Sequence, residues 1–328
     1  MKAAGAFRWT VSAAVLAAML ASVLSFRADA QSEYMRGDRM PYDAFERLPL
    51  TDLEVPGGTI HVAFAPGDMA LSREKLLDWI RMSARAVTTY YGRFPVPSLR
   101  LLLVPVDGGR IRGGTTWGYR GAAIRIPLGR DSTEDVLQRD WVMVHEMVHT
   151  ALPDMPNRYA WLSEGLAVYI EPIARAQAGD LNAREIWQAM MRDMPKGLPQ
   201  AGDQGLDNTG TWGRRYWGGA MFCLLADIEI RKATSNHAGL QDAMRGVLAA
   251  GGNHEQDWPL ERILATADKA VGVDVLRRLH NEMGPEPVTP DLAALWRDLG
   301  LKRTGEDLEF DDAAPLAAIR KAITAPHG

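Results

Sequence analysis

Two histidines four residues apart, with a glutamate directly after the first, stand in WVMVHEMVHTALPDMPNRYAWLSEGLAVYIEP, positions 141–172. The motif His145-Glu146-Met147-Val148-His149 is set among Trp141, Val142, Met143 and Val144, a run apolar enough to be buried. Unpartnered polar groups in such a setting cost roughly 2–7 kcal/mol each. A shared metal ion removes that cost. On a helix, residues i and i+4 project from one face, so both imidazoles reach the same ion.

HExxH arises by chance in a chain of this size at a frequency on the order of one in a hundred, so a further ligand has to carry the case. Catalytic zinc takes three protein ligands and keeps a fourth position for water. Glu164, in WLSEGLAVYIEP, belongs to a second stretch that is apolar apart from its acids. Pro153, Asp154, Pro156 and Asn157 form a short turn between the two segments. Antiparallel helices joined by that turn bring Glu164 opposite the histidines. The expectation is one Zn2+ held by His145, His149 and Glu164. Glu146, beside a ligand but pointing elsewhere, is left as the general base for a water molecule.

These residues resemble the gluzincin peptidases, in which HExxH on one helix and a Glu from WLxEGxA on the next make the zinc site. The flanks YYGRFPVPSLRLLLVP and RYWGGAMFCLLADIEIRKAT are similar to stretches of the glycyl aminopeptidase family, and more distantly of the aminopeptidase N and leukotriene hydrolase family. The similarity spans about residues 75–250. It implies a zincin, thermolysin-like α+β catalytic domain, with a small mixed β-sheet over the zinc helix and a mostly helical lower half. It implies a zinc metallopeptidase acting on peptide or protein substrates. It also implies that Tyr216, in YWGGA, donates a hydrogen bond to the oxyanion, as the tyrosine before xKGA does in those families. Gly218 replaces that lysine. A plain cleft-wall aromatic is the other use of Tyr216.

Aminopeptidases of these families anchor the substrate's amino group with a Glu on a strand before the zinc helix, in GxMEN or GGxE. The comparable stretch here, GGTTWGYRGAAIRI at 113–126, contains no acid. It still offers backbone groups to an extended peptide. Endopeptidase and aminopeptidase activity both stay open; Arg120 and Arg125 are read either as attracting an acidic substrate group or, the commoner use of strand arginines, as solvated. The alternative from another class is a zinc-stabilised peptide- or partner-binding protein on a peptidase fold, and the intact Glu146 argues against it. Glu171, seven residues after Glu164, is a candidate to orient a ligand histidine or to cap the helix end. Asp227 reads as half of a salt bridge. His237 is a candidate second oxyanion donor, whereas His61, His254, His280 and His327 have no metal spacing.

The frame around this site is read from pattern. Lys2, Arg8, the apolar run Trp9–Phe26 and Ala28-Asp29-Ala30 have the layout of a signal peptide cleaved after Ala30. An uncleaved anchor is the alternative. Export, to a bacterial periplasm, follows as an expectation, with no membrane contact after cleavage. The 328-residue chain carries 37 basic and 41 acidic residues, net −4, which does not suit nucleic acid. The single Cys223 makes no internal disulfide and reads as a buried small hydrophobe.

Residues 31–50 read as an extended lead, 59–65 and 98–106 as strands, 115–128 as a strand or hairpin, and Ser72 as the cap of a helix to about Tyr91. Helices are expected over 133–152, 159–176, 182–193, 214–233, 238–250, 258–283 with a break, and 290–298 capped by Thr289. The Gly- and Pro-rich stretch 194–213 is expected on the rim of a cleft. The resulting division is a signal peptide (1–30), a β-containing part (31–130), a helical zinc-binding part (131–285) and a C-terminal helical extension (286–328).

Overall fold

The computed structural model describes residues 33–35, 39–305 and 307–325. The signal-peptide expectation lies outside them. Among the described residues, no helix is long and apolar enough to cross a membrane.

A short helix α1 (Ala44–Arg47) precedes β1 (Leu50–Val55), which turns at Pro56-Gly57 into β2 (Gly58–Phe64). Gly57 has φ +99°, a conformation in which a Cβ is disfavoured. Helix α2 (Arg73–Tyr91) then crosses to β3 (Ser98–Val106), parallel to β2. Its start is capped by the Ser72 hydroxyl, which accepts from Lys75 N at 3.4 Å, and its end by left-handed Gly92. β4 (Thr115–Trp117) and β5 (Ala123–Gly129) form the hairpin, and β5 pairs in parallel with β3. The sheet order is β1-β2-β3-β5-β4, mixed in direction, with β4 on an edge.

SLRLLLVPV lacks a wet face because both faces of β3 are covered. Leu99, Leu101 and Leu103 point into the main core with α2. Leu102 and Val104 meet Tyr34, Met40, Tyr42, Ala44 and Phe45. The residues expected as an extended lead therefore close the outer face of the sheet, and β1, absent from the sequence reading, extends it.

The helical half contains α3 (Glu134–Gln138), α4 (Val142–His149), α5 (Ala160–Gln177), α6 (Ala183–Asp193), α7 (Gly219–Ala233), α8 (Leu240–Ala249), α9 (Leu260–Val271) and α10 (Leu276–Met283). One helix was expected over 133–152, and two are found. The buried Asp140 carboxylate accepts from Val142 N and Met143 N at 3.0 Å, which starts α4 afresh. Asp291, and not Thr289, caps α11 (Leu292–Asp298), accepting from Ala294 N at 2.9 Å. The C-terminal extension is not all helical: the hairpin β6 (Leu301–Thr304) and β7 (Asp307–Phe310) precedes α12 (Ala317–Thr324).

Helices α5 and α7 meet at backbone distance. A Cβ on Gly219 would lie 1.9 Å from the Trp161 carbonyl oxygen, and one on Gly165 would lie 2.3 Å from Gly219 C. This contact aligns the helix carrying Glu164 with the turn carrying Tyr216.

Candidate metal centre

Helix α4 is apolar on nearly all sides and buried from Val142 to Val148. That burial fixes its rotation, and His145 and His149 face α5. His145 Nε2 lies 3.3 Å from His149 Nε2 and 3.3 Å from Glu164 Oε2, and His149 Nε2 lies 3.5 Å from the same oxygen. Ligands 2.0–2.1 Å from a tetrahedral zinc ion stand about 3.3 Å apart. The three donors thus have the spacing of a zinc face, and His145, His149 and Glu164 form the metal-competent cluster among the described residues.

The far side of the His149 ring is anchored. Its Nδ1 pairs with Ser163 Oγ at 3.0 Å, which turns Nε2 toward Glu164 and His145. His145 Nδ1 is buried with no hydrogen-bond partner. Burial alone would raise the Glu164 carboxyl, but hydrogen bonds from both histidines hold it well below the usual carboxylate range. Burial alone would lower His149, and the bond to Glu164, with the charges of Glu164 and Glu146, turns the shift upward. Three donors that prefer a shared positive charge are what a divalent cation satisfies.

Glu146 is buried but stands outside this set. Thr116 Oγ1, on β4, lies 2.7 Å from Glu146 Oε2 and 2.9 Å from the Glu146 carbonyl oxygen, and its one proton serves either acceptor. Gly114 leaves the space for this carboxylate, since a Cβ there would lie 2.5 Å from Glu146 Cγ. The acid-free strand therefore positions the candidate base.

Tyr216 lies in a π-helical turn, Arg214–Gly218, that leads into α7. Single π turns recur at functional sites. Its ring stacks on His145 at 6.4 Å and 10°. Burial, the charges of Glu164 and Glu146 and a hydrogen bond to Glu164 push its hydroxyl up to about 12, so it keeps its proton at neutral pH. Gly218 follows in the same turn, and a Cβ there would lie 3.1–3.2 Å from Leu206 Cδ2 and Arg214 Nη1.

The 194–213 stretch is fastened at several points. Arg214 donates to Gly197 O at 2.7 Å and stands 2.8 Å from Asp203 without hydrogen-bond alignment, both side chains being buried. Asp207 accepts from Trp161 Nε1 at 2.9 Å and pairs with His280 at 2.9 Å. Leu206 N and Asp207 N donate to Met283 O and Gly284 O.

Other candidates fall away from the centre. Glu171 pairs with Arg175 at 2.8 Å, and burial pushes its carboxyl up to about 7. It orients no ligand histidine, because its partner lies one turn farther along the same helix. Asp227 accepts from Tyr169 Oη and Arg231 Nε at 2.8 Å, as a structural acid. His237 is exposed beyond the far end of α7 and bonds the Thr234 carbonyl, so it is not a second oxyanion donor. Thr116, Ser163 and Gly114 escaped the sequence reading. Ser163 had one signal, a polar residue beside Glu164 in an otherwise apolar helix.

No protein-family model and no curated protein matches the sequence. Among solved structures, an aminopeptidase N family protein from Idiomarina loihiensis aligns with TM-score 0.60 at 14% identity, over 77% of this chain and 49% of that one. A mutant M1 zinc metallopeptidase from Deinococcus radiodurans, bound to a Tyr-Ser-Ala substrate, aligns with TM-score 0.48 at 16% identity, over 74% and 53%. The chain spans about half the length of these structures. The first likeness shows the fold: a mixed sheet with a helical half, as in that aminopeptidase N family protein.

Proposed function

We propose that the chain is an exported zinc-dependent metallopeptidase that hydrolyses peptide bonds, with His145, His149 and Glu164 as the ligands of one ion. The observation that carries this reading is the three donor atoms at 3.3–3.5 Å from one another, with Glu146 beside them but outside the set. A closed structural site has four protein ligands and no use for a base.

His145, His149 and Glu164 would hold the zinc ion, which would supply Lewis acidity for activating a water molecule and polarising a carbonyl. Glu146, aimed by Thr116, takes the proton of the attacking water. The oxygen of that water bonds to the peptide carbonyl carbon. Tyr216 donates its O–H to the carbonyl oxygen as negative charge builds on it, a contact typically worth about 3 kcal/mol in the transition state. Glu146 then passes its proton to the nitrogen, the C–N bond breaks, and an acid and an amine leave.

The acid-free β4 favours internal cutting, because no carboxylate on that strand neutralises a free amino terminus. The test is Glu146→Gln in the protein beginning at Gln31, with zinc content and cleavage of a mixed peptide library both measured. Retained zinc with lost cleavage is expected. A zinc-loaded wild type that cuts nothing in the library would falsify the peptidase reading, and the product termini separate internal cuts from amino-terminal trimming.

A further inference from the structure

Of the described tryptophans, Trp79, Trp161, Trp187, Trp258 and Trp296 are buried. Trp117 and Trp217 are half-buried, and each has a cation over its ring, Arg125 at 5.1 Å and Lys196 at 5.8 Å. Trp141 and Trp212 depart from this pattern. They are 51% and 59% exposed, and among the described residues no cation stacks on either ring. A scattered surface tryptophan needs no explanation, but two at one site do.

Both indoles border the metal centre. Trp141 meets His145 edge to face, with centroids 5.3 Å apart at 87°. Trp212 stacks on Tyr216 at 5.7 Å and 24°. Since Tyr216 stacks on His145, the rings form one continuous row, Trp141–His145–Tyr216–Trp212. Its middle is a ligand imidazole and the proposed oxyanion donor, and its two ends are the exposed indoles. Neither end hangs on loose chain. Trp141 stands at the start of buried α4, and Trp212 closes the segment held by Asp203–Arg214 and by Asp207 with Trp161 and His280.

We propose that Trp141 and Trp212 determine specificity at this site and select peptides with a bulky apolar or aromatic side chain beside the bond that is cut. This rests on the peptidase reading. A residue whose carbonyl oxygen meets the Tyr216 hydroxyl brings the adjoining side chains within reach of the Trp212 ring stacked on it. An apolar side chain there dries indole surface that the free protein leaves in water, whereas Gly, Ala or an acidic residue leaves it wet. Ready-made aromatic walls need no ordering on binding, which favours contact area over adaptable polar recognition.

Internally quenched pentapeptides that differ only in Phe, Leu, Ala or Gly beside the cleaved bond test this with the zinc-loaded protein. Wild type is expected to favour Phe and Leu over Gly in kcat/KM by tenfold or more. Trp212→Ala and Trp141→Ala should each shrink that ratio severalfold, with zinc content and thermal unfolding unchanged. A second arm measures equilibrium binding of the same peptides to zinc-loaded Glu146→Gln, with and without Trp212→Ala. If wild type cleaves nothing, the peptidase reading falls while this arm still decides the present one. A preference for Phe and Leu peptides that Trp212→Ala removes supports the proposal. Equal affinity for all four peptides, or a preference unmoved by both tryptophan substitutions, overturns it.

Discussion

The Thr116 hydroxyl lies 2.7 Å from Glu146 Oε2, so the carboxylate beside the metal centre is held from the edge strand of the sheet and not from its own helix. Base and ligands thereby have separate supports. Thr116→Val is expected to keep zinc bound and to lower kcat on a cleaved peptide about tenfold, within the range of general-base effects, while Thr116→Ser restores most of it. Gly114→Ala, which presses on Glu146 Cγ, should act in the same direction. Steady-state kinetics with metal analysis checks both; a kcat untouched by Thr116→Val contradicts this role.

The metal ligands and their supports are expected to separate by the size of their effects. His145→Ala, His149→Ala and Glu164→Ala should abolish stoichiometric zinc binding, which competition with a chromogenic chelator reads directly. Ser163→Ala removes only the partner of His149 Nδ1 and should weaken zinc about 10- to 100-fold. Zinc at a hundred times its dissociation constant should stabilise the wild type by about 2.7 kcal/mol. No stabilisation by zinc would contradict the cluster as a site.

Gly219→Ala should destabilise the protein by about 3 kcal/mol in urea titrations, because the new methyl group would meet the Trp161 carbonyl at 1.9 Å. Ala is otherwise the better helix former at this position. A more stable Gly219→Ala protein would mean that α5 and α7 are not this close.

The buried Glu171 carries a pH dependence whose sign is fixed. Burial raises its folded pKa to about 7 against the pull of Arg175, with Asp140 adding to the rise. Its stabilising contribution is therefore complete below about pH 4.5 and lost as pH rises through 7. Glu171→Gln, which imitates the protonated acid, should lose less stability than wild type between pH 5 and pH 8, whatever the loss of the Arg175 pair costs at both. Urea unfolding at the two pH values decides, and a glutamine variant whose stability falls as much as the wild type's contradicts the shift.

The three residues of the candidate metal centre were legible because they lie close together in sequence. His145 and His149 share one turn of helix, and Glu164 follows after a turn marked by Pro153 and Pro156. Thr116 was not legible, since its partner is 30 residues away and only the pairing of β4 with β5 brings it near. Asp207 likewise gains meaning only when the 194–213 segment folds back on Trp161 and His280. The strand β1 was missed because LTDLEV buries Leu53 alone, leaving no strong alternation to read. Asp140 was taken into a helix that it interrupts, because its carboxylate competes for backbone N–H groups in a way that apolar periodicity does not register.

The π turn at Arg214–Gly218 also sets a limit on length variation in this protein. Each residue in an α-helix advances the chain by about 100°, and a π turn accommodates one residue beyond the α-helical count. Deleting a single residue there would relax the backbone into ordinary helix and leave the Gly165–Gly219 contact in place. Everything before the deletion, Trp212 included, would swing round the helix axis away from His145. A one-codon deletion there would therefore take Trp212 away from the candidate metal centre while leaving the packing of the two helices in place.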